Sequence, residues 1–299
     1  MAAAAAPATP AVPPVIPSLA ASTPAPATGP AADWPAQLGP CRLDGLATAL
    51  RCASLRRPLD PARPDGVQIA LHYAVLPALS RHKADDPVVF LAGGPGQSAT
   101  ELAGPLAAAY QRLGQRRDLV FIDQRGTGRS APLRCPDDAA DAPQRSLAEQ
   151  ADDTARLARL QACRRALQAL PHGDLRFYST AIASADLDAV RAALGVARVN
   201  LIAASYGTRA ALDYQRQFPT RVRRAVLDGV VPPDMRLADS AAQDNQATLD
   251  GVINACAAEP ACARRHPALR AQWQALLAGL PRAVSLPHPG SGLPETVTL

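Results

Sequence analysis

From residue 66 onward, short apolar runs in this chain alternate with longer stretches whose apolar residues recur at helical spacing. The runs predict β-strands at 67–76 (VQIALHYAVL), 87–91 (PVVFL), 118–123 (DLVFID), 198–203 (RVNLIA) and 222–228 (VRRAVLD). The stretches between them predict helices near 99–113, 146–170, 184–194 and 206–218. The last of these places Ala210, Tyr214 and Phe218 on one face, and Pro219 limits its continuation. Strands alternating with helices imply an α/β fold with a mostly parallel sheet covered by helices. After LDGVVPPD (227–234) the alternation stops. Residues 237–256 and 266–280 read as helices joined tightly by CAAEPAC, the beginning of a cap over the sheet.

Composition sharpens the picture at the amino-terminal end. Residues 1–40 carry ten of the thirty prolines and one charged residue, Asp33, so they cannot build a packed core and are expected to be disordered. The expected organisation is therefore this Ala/Pro-rich segment at 1–40, a core at 41–234 and a partial helical cap at 235–299. No basic stretch followed by an uninterrupted apolar core marks a secretory signal, and no apolar run is long enough to span a bilayer. The net charge of +5 comes from arginines spread along the chain, which argues against a nucleic-acid partner.

Six cysteines fall as Cys41 and Cys52, Cys135 and Cys163, Cys256 and Cys262. Near-sequential pairs point to disulfides and an oxidising compartment, although six cysteines allow 15 connectivities. Buried thiols are the alternative, strongest for Cys163, which shares a helical stripe with Leu157, Leu160, Leu167 and Leu170.

The candidate chemistry centres on LIAASYGTRAAL (201–212). Ser205 stands where a buried strand meets a helix, at the carboxyl end of the sheet, where open α/β sheets place ligands. It is either a helix N-cap or the serine of a nucleophile elbow, a turn so tight that it demands small residues two before and two after. Ala203 and Gly207 satisfy that demand, with Ala at the first usual glycine. FLAGGPGQS (90–98) follows another strand, and its glycines let backbone N–H groups approach a ligand. Acyl transfer needs such donors for the oxyanion of the tetrahedral intermediate, and Gly94 with Tyr206 are the preferred pair. The Lys-Ser/Thr ending of a phosphate-binding P-loop is missing. DQRGTGRSAP (123–132) offers Asp123 and Arg125 as an internal ion pair that holds its loop.

Taken together, AGGPGQSA, DQRGTGRS, YSTAIASADLDAVRAALG, LIAASYGTRAALDY and RAVLDGVVPPD resemble, in order and spacing, the α/β-hydrolase serine peptidases related to proline iminopeptidase and bacterial tripeptidyl aminopeptidases. The resemblance covers residues 65–299. It implies an α/β-hydrolase fold, Ser205 as nucleophile, and Gly94 and Tyr206 as oxyanion donors. It also implies no metal or organic cofactor, and a cap that selects short peptides by their free amino end. Cysteines at similar positions in exported members, with the grouping here, lead to the pairings 41 with 52, 135 with 163, and 256 with 262.

Ala92 departs from the family's pattern, standing where iminopeptidases have His. The family also places its acid and histidine beyond the cap, on the last two strands. The sequence ends at Leu299 within the expected cap, so those strands, the acid and the base are expected to be missing and the chain to be inactive. His266 and His288, the histidines after Ser205, read as exposed loop residues, and Asp228 as part of a structural turn. Alternatives are an esterase or amidase of the same fold, acting on small esters or amides, and a non-catalytic decayed fragment.

Overall fold

The computed structural model describes residues 37–136, 145–146, 149–150, 152–236 and 239–298. The expected disorder of 1–40 thus falls almost wholly outside the described residues. At its end the sheet begins at Gly39, two residues before the expected start of the core.

Seven strands form one sheet. β1 (Gly39–Cys41), β2 (Leu50–Pro58) and β3 (Gln68–Leu76) are antiparallel neighbours. β4 (Val88–Leu91), β5 (Leu119–Ile122), β6 (Val199–Ala204) and β7 (Val222–Asp228) are the parallel part, and the order is β1-β2-β3-β5-β4-β6-β7. Every residue of β4 and β5 is buried, as parallel strands covered on both faces require. The Phe90 and Phe121 rings stack across these strands with centroids 5.1 Å apart, a contact worth about 0.5–1.5 kcal/mol beyond its buried area.

Between the strands lie α1 (Ala103–Ala109), α2 (Gln111–Gly114), α3 (Asp153–Gln168), α4 (Thr180–Ala193) and α5 (Tyr206–Gln217). The single helix expected over 99–113 is two pieces broken at Tyr110, whose ring packs on Phe90 at 5.3 Å. α4 begins four residues earlier than expected because Ser179 caps it, accepting from the Ile182 N–H.

The last third departs further from expectation. α6 (Ala241–Ala258) runs into CAAEPAC, where the Glu259 carboxylate accepts from the Ala261 and Cys262 N–H groups and starts α7 (Pro260–Arg265). After α8 (Leu269–Ala278) the chain forms a hairpin, β8 (Ala283–Pro287) with β9 (Pro294–Thr298), where only cap helices were expected.

The cysteines pair as 41 with 52, 135 with 163 and 256 with 262, at Cα separations of 5.7, 5.1 and 5.1 Å. The first joins β1 to β2, the second ties the segment after the 123–132 loop to α3, and the third joins α6 to α7. The buried-thiol alternative for Cys163 fails because its stripe is no core: Leu157 and Leu160 are exposed.

One buried histidine gives the fold a pH dependence. His72 on β3 is buried, and its Nε2 has no hydrogen-bond partner among the described residues. Burial lowers its pKa; Asp123 opposes that and Arg129 adds to it. The unfolded chain therefore takes up this proton first, and the stability contribution held above about pH 6.5 is lost as pH falls below it. The urea midpoint should drop between pH 7 and pH 5.5, and His72→Phe should flatten that slope. An equally steep slope in the variant would assign the acid sensitivity to other groups.

Candidate active site

Ser205 occupies the single residue between β6 and α5, with φ 54° and ψ −126°. Such a backbone costs a non-glycine residue on the order of 1–3 kcal/mol and persists only where its surroundings enforce it. The enforcing bonds are visible. The Ser205 N–H donates to the Asp228 carbonyl at 2.9 Å, and its own carbonyl accepts from the Thr208 N–H and Oγ1. Thr208 Oγ1 in turn accepts from the Val231 N–H at 2.8 Å, tying the turn to the segment after β7. The side chain is exposed and makes no capping bond, which removes the N-cap explanation.

The small neighbours are required to different degrees. A Cβ on Gly207 would stand 2.1 Å from the Leu91 carbonyl oxygen, so no side chain fits there. Ala203 is buried opposite Leu91, and its methyl is accommodated.

The glycine loop passes directly against the turn. A Cβ on Gly93 would lie 3.2 Å from the Ser205 Cβ and the same distance from the Ala204 carbonyl oxygen. Gly94 has φ 102°, and a Cβ there would meet the Gly96 nitrogen at 2.7 Å, so this backbone folds closely on itself. Tyr206, half-buried, shares a 2.9 Å hydrogen bond between its hydroxyl and Thr180 Oγ1 at the start of α4.

Two buried carboxylates hold the loops, and one has a different partner from the one expected. Asp123 does not pair with Arg125. Its carboxylate accepts from Ser98 Oγ at 2.7 Å, from the Thr100 N–H and Oγ1, and from the Arg129 N–H. It thereby locks the end of the glycine loop to the 123–130 loop. Arg125 instead forks onto Asp186 of α4, with Nε and Nη2 at 2.7 and 3.0 Å from the two oxygens. Its Nη1 donates to the Leu59 and Phe177 carbonyls, and Arg57 of β2 adds a 3.1 Å contact to Asp186. Sequence distance hid this arrangement, since Arg125 and Asp186 are 61 residues apart.

A cleft of about 230 Å³ opens between these loops, walled by Gly93, Gln97, Gln124, Tyr178 and Tyr206 among others. Sequence reading singled out Gly93 and Tyr206 here but gave no role to Gln97, Gln124 or Tyr178. Gln97 and Gln124 lay within motifs already quoted, Gln124 just beyond β5 and Gln97 at the far end of the glycine loop after β4. Burial raises the Tyr178 hydroxyl pKa to about 12, and Arg125 opposes the rise, so the phenol stays protonated.

Among the described residues neither later histidine is hydrogen-bonded to Ser205. His266 is exposed and ends α7, as expected. His288 is buried, against expectation, because it closes the β8–β9 turn. Its Nδ1 accepts from the Gly290 and Ser291 N–H groups, and its Nε2 contacts the Arg145 carbonyl at 2.9 Å. Among the described residues Ser205 Oγ has no hydrogen-bond partner.

A family model described as the alpha/beta hydrolase fold matches residues 86–279. Serine protease Hip1 of Mycobacterium tuberculosis is 34% identical over 213 residues, covering 67% of this chain and 40% of that protein. Tripeptidyl aminopeptidase of Streptomyces lividans is 32% identical over 216 residues, covering 68% and 37%. Carboxylesterase B of Mycobacterium tuberculosis is 30% identical over 225 residues, covering 71% and 42%. Of the solved structures, a proline iminopeptidase-related protein from Thermus thermophilus aligns with a TM-score of 0.35 and 22% identity over 59% of this chain and 44% of that one. The chain spans roughly 40% of the length of these curated relatives. No helix among the described residues is long and apolar enough to cross a membrane.

Proposed function

We propose, from the premise that this chain belongs to the alpha/beta hydrolase family, that Ser205 is the nucleophile of an acyl-transfer site for short peptides. The observation that carries the reading is the Ser205 backbone at φ 54°, which holds an exposed hydroxyl beside the glycine loop without using it as a cap. In the reaction, Oγ attacks the scissile carbonyl carbon and loses its proton to a base. The resulting oxyanion is held by the N–H groups of Gly94 and Tyr206. Collapse expels the amine, which takes up the proton that the base removed from Oγ, and water then hydrolyses the ester on Ser205. The relatives named as a serine protease and a tripeptidyl aminopeptidase favour peptides with a free amino end as substrates. The carboxylesterase relative keeps small esters and amides as the second reading. Three disulfides support export to an oxidising compartment.

The same geometry leads us to propose that the 299-residue chain turns over slowly. A serine needs an adjacent base oriented by a third group, and the contacts of His288 are spent within its own hairpin and on Arg145. Tripeptidyl amides should show no more than the residual acceleration of a triad-stripped protease, about 10³–10⁴ over water. A fluorophosphonate should modify Ser205 slowly and stoichiometrically, and Ser205→Ala should take up none. Modification of another residue would remove the nucleophile assignment. Fast turnover that disappears in Ser205→Ala would show that a base is already in place.

A further inference from the structure

Two amide side chains in the cleft have no role in holding the fold. Gln124 follows β5 and is half-buried, while Gln97 follows the glycine loop and is exposed. Neither side chain has a hydrogen-bond partner among the described residues.

Arg125, Tyr178, Thr127 and Tyr206, which also line the cleft, have committed polar groups, the Tyr206 hydroxyl to Thr180 Oγ1. The Arg125 guanidinium is spent on Asp186 and two carbonyls. The Tyr178 hydroxyl donates to the His172 carbonyl at 2.8 Å, and Thr127 Oγ1 donates to the Gln124 carbonyl at 2.9 Å. Among the described residues no carboxylate lines the cleft, and the Arg125 cation there is neutralised inside the wall.

We propose that this cleft is a subsite for an uncharged peptide segment, with the Gln97 and Gln124 amides pairing with the N–H and C=O of a peptide group. The inference rests on the reading of Ser205 as an acyl-transfer nucleophile and narrows its substrate class. A primary amide carries both a donor and an acceptor, the complement of a peptide bond. An ester link offers no donor, so one glutamine oxygen would be left unpaired in the occupied cleft, and sites built for a hydrogen-bonding group reject analogues that lack it. A charged side chain would shed its hydration and find no counter-charge. The cleft therefore selects peptides over esters, which separates the two substrate classes that the turn and glycine loop alone would serve equally.

Titration calorimetry of the full chain with acetyl-trialanine amide, and with two depsipeptides in which lactate replaces the second or third alanine, tests this. The peptide should bind about five- to tenfold more tightly than at least one depsipeptide, and Gln124→Leu should bring the ligands to parity. Gln97→Leu, at an exposed position, provides the same readout should Gln124→Leu misfold. Equal affinity for peptide and both depsipeptides, no saturable binding, or discrimination that survives both substitutions would overturn the subsite. Fluorophosphonate modification run in parallel separates the two readings. Discrimination without modification of Ser205 would leave the subsite standing and remove the nucleophile, and modification without discrimination would do the reverse.

Discussion

Gly207→Val should leave no cooperatively folding chain. Its Cβ would stand 2.1 Å from the Leu91 carbonyl oxygen and 2.9 Å from that of Ala92, contacts that no rotamer change relieves. The carbonyls cannot retreat, because β4 is hydrogen-bonded to β5 on one side and to β6 on the other. Relief would require breaking a ladder at the centre of the sheet. Single substitutions costing more than about 4–5 kcal/mol are exceptional, and this one belongs among them, against a total stability on the order of 5–15 kcal/mol for a domain. Thermal unfolding followed by circular dichroism gives the answer. Gly195→Ala is a suitable comparison: that residue also has positive φ, 71°, but open space around it, so it carries backbone strain alone. A cooperative Gly207→Val melt within a few degrees of the parent would mean that β6 and α5 do not meet as described.

The second large effect belongs to Asp186. Its carboxylate receives the Arg125 fork and the Arg57 contact, and the side chains of Arg125 and Asp186 are 2% and 4% exposed. Asp186→Ala would strand a buried guanidinium that still holds the Leu59 and Phe177 carbonyls. Removing one partner of a buried pair costs about 3–5 kcal/mol, most of it the uncompensated charge left behind. For a domain of this size that lowers Tm by roughly 6–20 °C. Asp186→Asn keeps the shape and one acceptor and should lose distinctly less. Equal losses in the two variants would show that packing, not charge, is what Asp186 supplies.

These two sites mark the limit of what was legible in the sequence. Gly207 was readable because a turn from strand to helix fixes the spacing of small residues. β4 and β5 were readable because strands covered on both faces must be apolar throughout. β2 was not, since LRCASLRRP spends its arginines on solvent and on Asp186 and shows no apolar run. The β8–β9 hairpin was hidden by Pro287, Pro289 and Pro294, which sit at strand ends and in the turn, where a missing N–H does little harm. Arg125 was expected beside the acid two residues away, because only the folded chain brings α4 against that loop. Gln97 and Gln124 lay in plain view, but a lone glutamine carries no signal until the groups around it are seen to be engaged.

The three bridges carry one more consequence, for how the chain is made. Their sequence separations are 11, 28 and 6 residues, and each cysteine is joined to its nearest neighbour in sequence. Short loops close most often in an unstructured chain, because closure entropy grows with loop length. Of the 15 possible connectivities, the native set is therefore also the one that chance encounters favour. In a chain that emerges amino terminus first into an oxidising compartment, each pair becomes complete before the next pair is available to compete. Oxidation can then keep pace with synthesis from the amino terminus onward, with little need for an isomerase to undo wrong pairings.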